Sequence, residues 1–164
     1  MDQAAFTAFY NETAPALRGY IRRVSQEGEM ADDLLQETYV RFLRARPEIA
    51  DHAGLKSYPY KTATAVIYDH WRRRRREQLW SRTFRLREAA PPAAGPGDVT
   101  RCFQKLNPRE RALLWLAYVE GYAHTEIAET LDLREKSIRV LLFRARRNLE
   151  RILRQNGLSA EVKP

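Results

Sequence analysis

The side chains best suited to chemistry lie near the C-terminal end of the chain. Ile138, Leu142, Ala145, Leu149 and Ile152 recur at steps of four, three, four and three. That spacing marks one buried stripe on a long amphipathic helix. The opposite face carries Lys136, Val140, Phe143, Arg144, Arg147 and Arg151, with Arg139 on its edge. Upstream, Ile127, Ala128 and Leu131 make a shorter helix that starts near His124 or Thr125, and the break at residues 131–133 is only a few residues long. A short helix, a tight turn and a longer basic helix form a helix-turn-helix whose second helix enters the DNA major groove. Arginine forks onto guanine there, while Val140 and Phe143 offer apolar contact to thymine methyls. A merely solvated basic helix would need neither the paired helix nor an exposed Phe143 among cations.

A second set of polar groups lies on the helix expected at residues 31–45. Leu34, Leu35, Thr38, Phe42 and Leu43 point inward, and Asp33, Gln36, Glu37, Arg41 and Arg44 line the outer face. Spacing alone describes a solvated face as well as a docking one. A third set follows Lys61: Arg72 to Arg76 are five consecutive arginines that cover every face of a helix, which no core requires. They suit phosphates, with Tyr68, Trp71 and Trp80 as flat surfaces for unpaired bases. Trp71 itself continues the stripe Tyr60, Ala63 and Ile67 and is expected in the core.

Catalysis finds no such support. His52, His70 and His124 are scattered, and neighbouring Asp69 and His70 point about 100° apart on a helix. No enzyme activity, metal or cofactor is expected. Cys102 is the only cysteine, so no intrachain disulfide can form; beside Phe103 and Leu106 it reads as a small buried thiol. With no apolar run of about 18 residues and no leader-like start, neither membrane insertion nor export is indicated, and a cytoplasmic location is expected.

These groups must be held by helices, and the chain supplies them in order. The first is expected from about residue 3 to 23, with Phe6, Phe9, Tyr10, Leu17, Tyr20, Ile21 and Val24 at helical spacing and Pro15 kinking or dividing it near Thr13. A loop over 47–54 precedes a third helix that begins near Ser57 or Tyr58, with Pro59 in its first turn, and runs to about Leu79. Residues 89–98, AAPPAAGPGD, form a linker. Beyond it Asn107 and Pro108 open a helix that buries Leu113, Leu114, Leu116 and Tyr118 and ends at Gly121. The fold class is therefore all-α, with one small helical domain at 1–88 and another at 99–164. The formal charge of +8 divides between them: residues 61–87 hold nine basic and two acidic side chains, and 100–164 hold thirteen and eight. Residues 1–60 hold seven and nine, which leaves a protein-facing surface beside two polyanion contacts.

The whole order resembles the extracytoplasmic-function (ECF, group 4) sigma factors of bacterial RNA polymerase. ADDLLQETYVRFLRA is similar to their region 2.1–2.2, LKSYPYKTATAVIYDHWRRRRR to regions 2.3–2.4, and LNPRERALLWLAYVEGYAHTEIAETLDL with SIRVLLFRARRNL to region 4. The resemblance implies that Asp33, Gln36 and Glu37, with Arg41 beside them, bind the β′ clamp helices of core polymerase. It implies that Lys61, Ala65, Tyr68, Asp69, Arg72 and Arg73 approach the −10 element, with the 51–57 loop holding a flipped base. Arg139, Val140, Phe143 and Arg144 fall on −35 base-reading positions, and Arg109, Lys136 and Arg147 suit phosphates. The second domain would rest on the β flap, and an anti-sigma factor would hold the protein in check. Pro59, Thr62, Ala65, Asp132, Val140 and Leu141 depart from the family pattern and imply an unusual promoter preference. A LuxR-like or response-regulator-like factor shares the LxPRE and EIA patterns, but residues 1–88 lack the alternating strands of a receiver. A sigma mimic that only sequesters an anti-sigma factor would not need the phosphate-binding faces.

Overall fold

The computed structural model describes residues 1–45, 47–48, 52–84 and 98–158, and every regular element among them is an α-helix. Helices α1 (Gln3–Ser25), α2 (Ala31–Ala45) and α3 (His52–Phe84) pack on one another as a first unit. Helices α4 (Asp98–Gln104), α5 (Pro108–Tyr118), α6 (His124–Leu131) and α7 (Glu135–Gln155) form the second.

Two prolines behave differently from their local rule. Helix α1 runs unbroken through Pro15. An interior proline costs a helix about 3 kcal/mol. Here Phe9 and Ala14 before it and Leu17, Tyr20, Ile21 and Val24 after it are all buried, and their packing keeps both halves in one helix. Helix α3 starts at His52, not near Ser57, so Pro59 lies inside it, fully buried. The last part of the expected 47–54 loop, from His52, is thus helical, while residues 49–51 lie outside the described residues. So do 89–97 of the expected linker, and Asp98 belongs to α4.

Three expected core side chains are exposed. The buried positions of α3 stop at Ile67, and residues 71–80 all face solvent because α3 outruns the bundle. Trp71 is therefore 39% exposed, with the Arg75 guanidinium 5.2 Å above its ring. Leu43 is 43% exposed; Tyr39 is buried instead, edge-on to Phe6 and Phe9, its hydroxyl 2.7 Å from Thr13 Oγ1. Tyr118 is exposed at the end of α5, where Arg146 donates to its hydroxyl. Helix α5 ends there, before Gly121.

The second unit follows its sequence signals closely. Asn107 Oδ1 accepts from the Glu110 N–H and Glu110 Oε2 accepts from the Asn107 N–H, a complete capping box with Pro108 in the first turn. Glu126 accepts from the Ala123 N–H at the start of α6. The turn to α7 passes through Asp132 at φ 53°, a left-handed conformation that a short polar side chain tolerates. Leu113, Leu116, Ile127, Ile138, Leu142 and Ala145 fill the space between α5, α6 and α7, and Cys102 on α4 is buried with them.

The two units also pack against each other, α5 on α1 and α6 on α3, and their cores join into one apolar cluster. Arg111 is the tie. It is 3% exposed; its Nε donates to Val24 O at 2.8 Å, and its Nη1 donates to Leu106 O and Gln104 O. Those carbonyls close the ends of α1 and α4, where the helix dipole is negative and a cation is favoured. Burial nevertheless lowers the guanidinium pKa to about 10. Beside it Tyr20 and Tyr60 meet edge-on at 5.1 Å, Tyr60 meets Tyr122 of the other unit at 5.6 Å, and the Tyr20 hydroxyl lies 2.7 Å from Thr64 Oγ1.

Candidate nucleic-acid interface

Helix α7 presents the face expected of it. Ile138, Leu142, Ala145 and Ile152 of α7 are buried and Leu149 is partly so, which turns Lys136, Arg139, Val140, Phe143, Arg144, Arg147 and Arg151 outward. Val140 is 49% and Phe143 55% exposed. Two apolar side chains left in water among five cations supply no packing energy, yet they match the mixed edge of a base pair in the major groove. Arg109 is exposed in the first turn of α5. Arg147 pairs loosely with Glu150 at 3.7 Å, in reach of exchange for a phosphate.

On α2, Asp33 and Gln36 are exposed, and Glu37 and Arg41 half-exposed, on one face. Arg41 Nε donates to Glu37 Oε1 at 2.7 Å and its Nη1 to Asp69 Oδ2 of α3 at 2.8 Å. These two carboxylates, Asp69 foremost, raise the Arg41 pKa. On α3, Lys61, Ala65, Arg72 and Arg73 are exposed and Asp69 is half-exposed. Arg74 pairs with Glu27 near the α1–α2 turn, so the arginine run is held to the bundle at one point.

Tyr68 stands apart. Its hydroxyl is buried without a hydrogen-bond partner among the described residues, and burial raises its pKa. Arg109 lies close enough to oppose that shift, without good hydrogen-bond geometry. A residue expected at the −10 element thus faces one expected at the −35 element. Lys61 likewise borders a cleft of about 590 Å³ whose other wall is the α6–α7 turn, with Glu129, Asp132 and Glu135. Of the 51–57 loop expected to hold a flipped base, residues 52–57 are the start of α3, on the rim of that cleft, and Asp51 lies outside the described residues. The sequence reading missed Arg111 and the Tyr20–Tyr60–Tyr122 contact. The one available signal was an arginine set directly before the apolar run ALLWL.

Fold and surface together define a helix-turn-helix protein with a second helical unit that bears its own arginine-rich helix. Comparison with known proteins gives the class. Residues 9–77 match the model of Sigma-70 region 2 and residues 97–149 that of Sigma-70 region 4. The RNA polymerase sigma factor CarQ of Myxococcus xanthus is 25% identical, over 92% of this chain and 90% of its own. The ECF RNA polymerase sigma factor SigL of Mycobacterium tuberculosis is 24% identical, over 96% and 94%. Among solved structures, the sigma factor RpoE of Bartonella quintana, crystallised with the anti-sigma factor NepR, superposes with a TM-score of 0.74 at 22% identity, over 92% of this chain and 97% of its own. This chain belongs to the sigma-70 family of RNA polymerase sigma factors, in its extracytoplasmic-function group. Sigma factors are transcription initiation factors, not catalysts. Among the described residues, no helix is long and apolar enough to cross a membrane.

Proposed function

We propose that this chain is a dissociable subunit that directs core RNA polymerase to its own class of promoters. Asp33, Gln36 and Glu37 on α2 dock on the β′ clamp helices, and the second unit rests on the β flap. Arg139, Val140, Phe143 and Arg144 read the −35 element, with Arg109, Lys136 and Arg147 on its phosphates. Lys61, Ala65, Tyr68, Asp69, Arg72 and Arg73 approach the −10 element, where Trp71 and the arginine run favour the separated strand. Residues 1–88 and 99–164 act as the two functional domains. The observation that carries this reading is the exposure of Val140 and Phe143 within the cationic face of α7.

The geometry also sets a condition. Elements numbered −10 and −35 have centres about 25 base pairs, or about 85 Å, apart on the duplex. Helix α3, with 33 residues, is only about 50 Å long, and α6 touches it. The packed chain cannot read both elements at once, so engagement separates the units and uncovers Tyr68. An anti-sigma partner that binds the packed form would keep it inactive, in line with the similar RpoE chain solved with NepR.

Transcription by core polymerase from a randomised promoter library, with and without this protein, tests the reading. Protein-dependent start sites with enriched upstream elements are the expected result. No start sites, with duplex binding as a dimer, would turn the assignment to a LuxR-like regulator; no start sites and no DNA binding would turn it to a mimic.

A further inference from the structure

Between Lys61 and Arg76, α3 carries nine cationic or aromatic side chains, His70 among them, and a single carboxylate, Asp69. That carboxylate lies on the same side as Ala65 and Arg72, where a strand phosphate would approach. An unpaired negative charge there opposes DNA binding, and the structure supplies its neutralisation from another helix. Arg41 of α2 reaches across with Nη1 2.8 Å from Asp69 Oδ2, while the other oxygen, Oδ1, lies 3.7 Å from Arg72 Nη1. The same guanidinium holds Glu37 Oε1 at 2.7 Å, one turn back on α2. Its fork therefore joins the acidic stripe of α2 to the basic face of α3, through two charge-assisted bonds from separate nitrogens of one planar group.

We infer that Arg41 is a positioning residue for the −10 step rather than a polymerase contact. It neutralises Asp69, fixes that side chain beside Arg72, and leaves Glu37 Oε2 free for a cationic partner. A partner that draws Glu37 away leaves Arg41 to Asp69 alone, so docking on α2 strengthens neutralisation on α3. This inference rests on the sigma-factor reading above and assigns Arg41 a different role within it.

The test uses the full chain, core polymerase and a promoter recovered from the library selection. Affinity for core and the rate of heparin-resistant open-complex formation are measured for wild type, R41A, R41K and R41A/D69N. Arg41 is partly exposed, so R41A retains the fold, which its thermal transition reports, and R41K keeps the charge as a second variant. R41A is expected to slow opening by about tenfold or more and to change core affinity by no more than about threefold. The defect shrinks as salt rises, because the repulsion is screened. R41K gives an intermediate rate, and R41A/D69N recovers most of the loss by removing the charge that Arg41 had neutralised. Equal losses of core affinity and opening, with no rescue by D69N, would overturn the inference and make Arg41 a polymerase contact. A wild-type protein that yields no start sites would instead overturn the sigma-factor reading, and this inference with it.

Discussion

At the residue scale, the proposed function divides the α7 face into side chains that read bases and side chains that only hold the backbone, and the two kinds should fail differently. Replacement of Arg139 or Arg144 by alanine is expected to cost about 1–3 kcal/mol on the selected −35 sequence and to relax specificity at one position. Replacement of Lys136 or Arg147 is expected to weaken binding to all sequences and to lower the salt slope by about one. Fluorescence anisotropy with duplexes at several salt concentrations separates the two. These residues were legible because the buried stripe of α7 fixes which side chains face outward. Arg111 was not legible in that way. An arginine next to a leucine run ordinarily lies on the edge of a helix, and its burial depends on carbonyls of Val24, Gln104 and Leu106 that only the fold brings together.

At the element scale, helix termini and buried stripes were readable, whereas prolines and helix length were not. The Asn107–Glu110 capping box follows from four consecutive residues, and Asn107→Ala should lower stability by about 1 kcal/mol in denaturant unfolding. Ile138→Ala removes a side chain with no exposed surface from the α6–α7 core and should cost about 2–5 kcal/mol, with loss of duplex binding as the reader helix loosens. Pro15 and Pro59 misled because local propensity is a weak prior against burial, of the residues that flank Pro15 and of the Pro59 ring itself. Trp71 misled because periodicity gives the face of a helix and not the point where its neighbours end. Four residues beyond Ile67, the last buried position of α3, the same stripe faces water.

At the scale of the whole molecule, the packed arrangement was the least legible feature. A proline- and glycine-rich stretch implies two units and says nothing of whether they touch. The joint is chemically specific, which makes it sensitive to pH. Burial above all, with the Glu120 carboxylate nearby, holds the Tyr20, Tyr60 and Tyr122 hydroxyls well above their ordinary value of 10.0. Above pH 10 the unfolded chain gives up those protons and the packed chain does not, so stability falls as pH rises. Arg111, held to about 10, works the other way over the same range, since the unfolded chain keeps that proton longer. One group against three leaves a net loss. Phenolate absorbance and circular dichroism should therefore change together in one cooperative step above pH 10.

The separation of the units is the claim on which the account turns, and a distance measures it. Gln26 donates to the Gln104 carbonyl and Lys105 to Asn156, so the α1–α2 turn and the end of α7 lie near each other in the packed chain. Donor and acceptor dyes at Glu29→Cys and Gln155→Cys, both exposed positions, report that distance while Cys102 stays buried. High energy transfer in the free protein, lost when core polymerase and a selected promoter are added, is the predicted result. Undiminished transfer in a complex that transcribes from that promoter would contradict it.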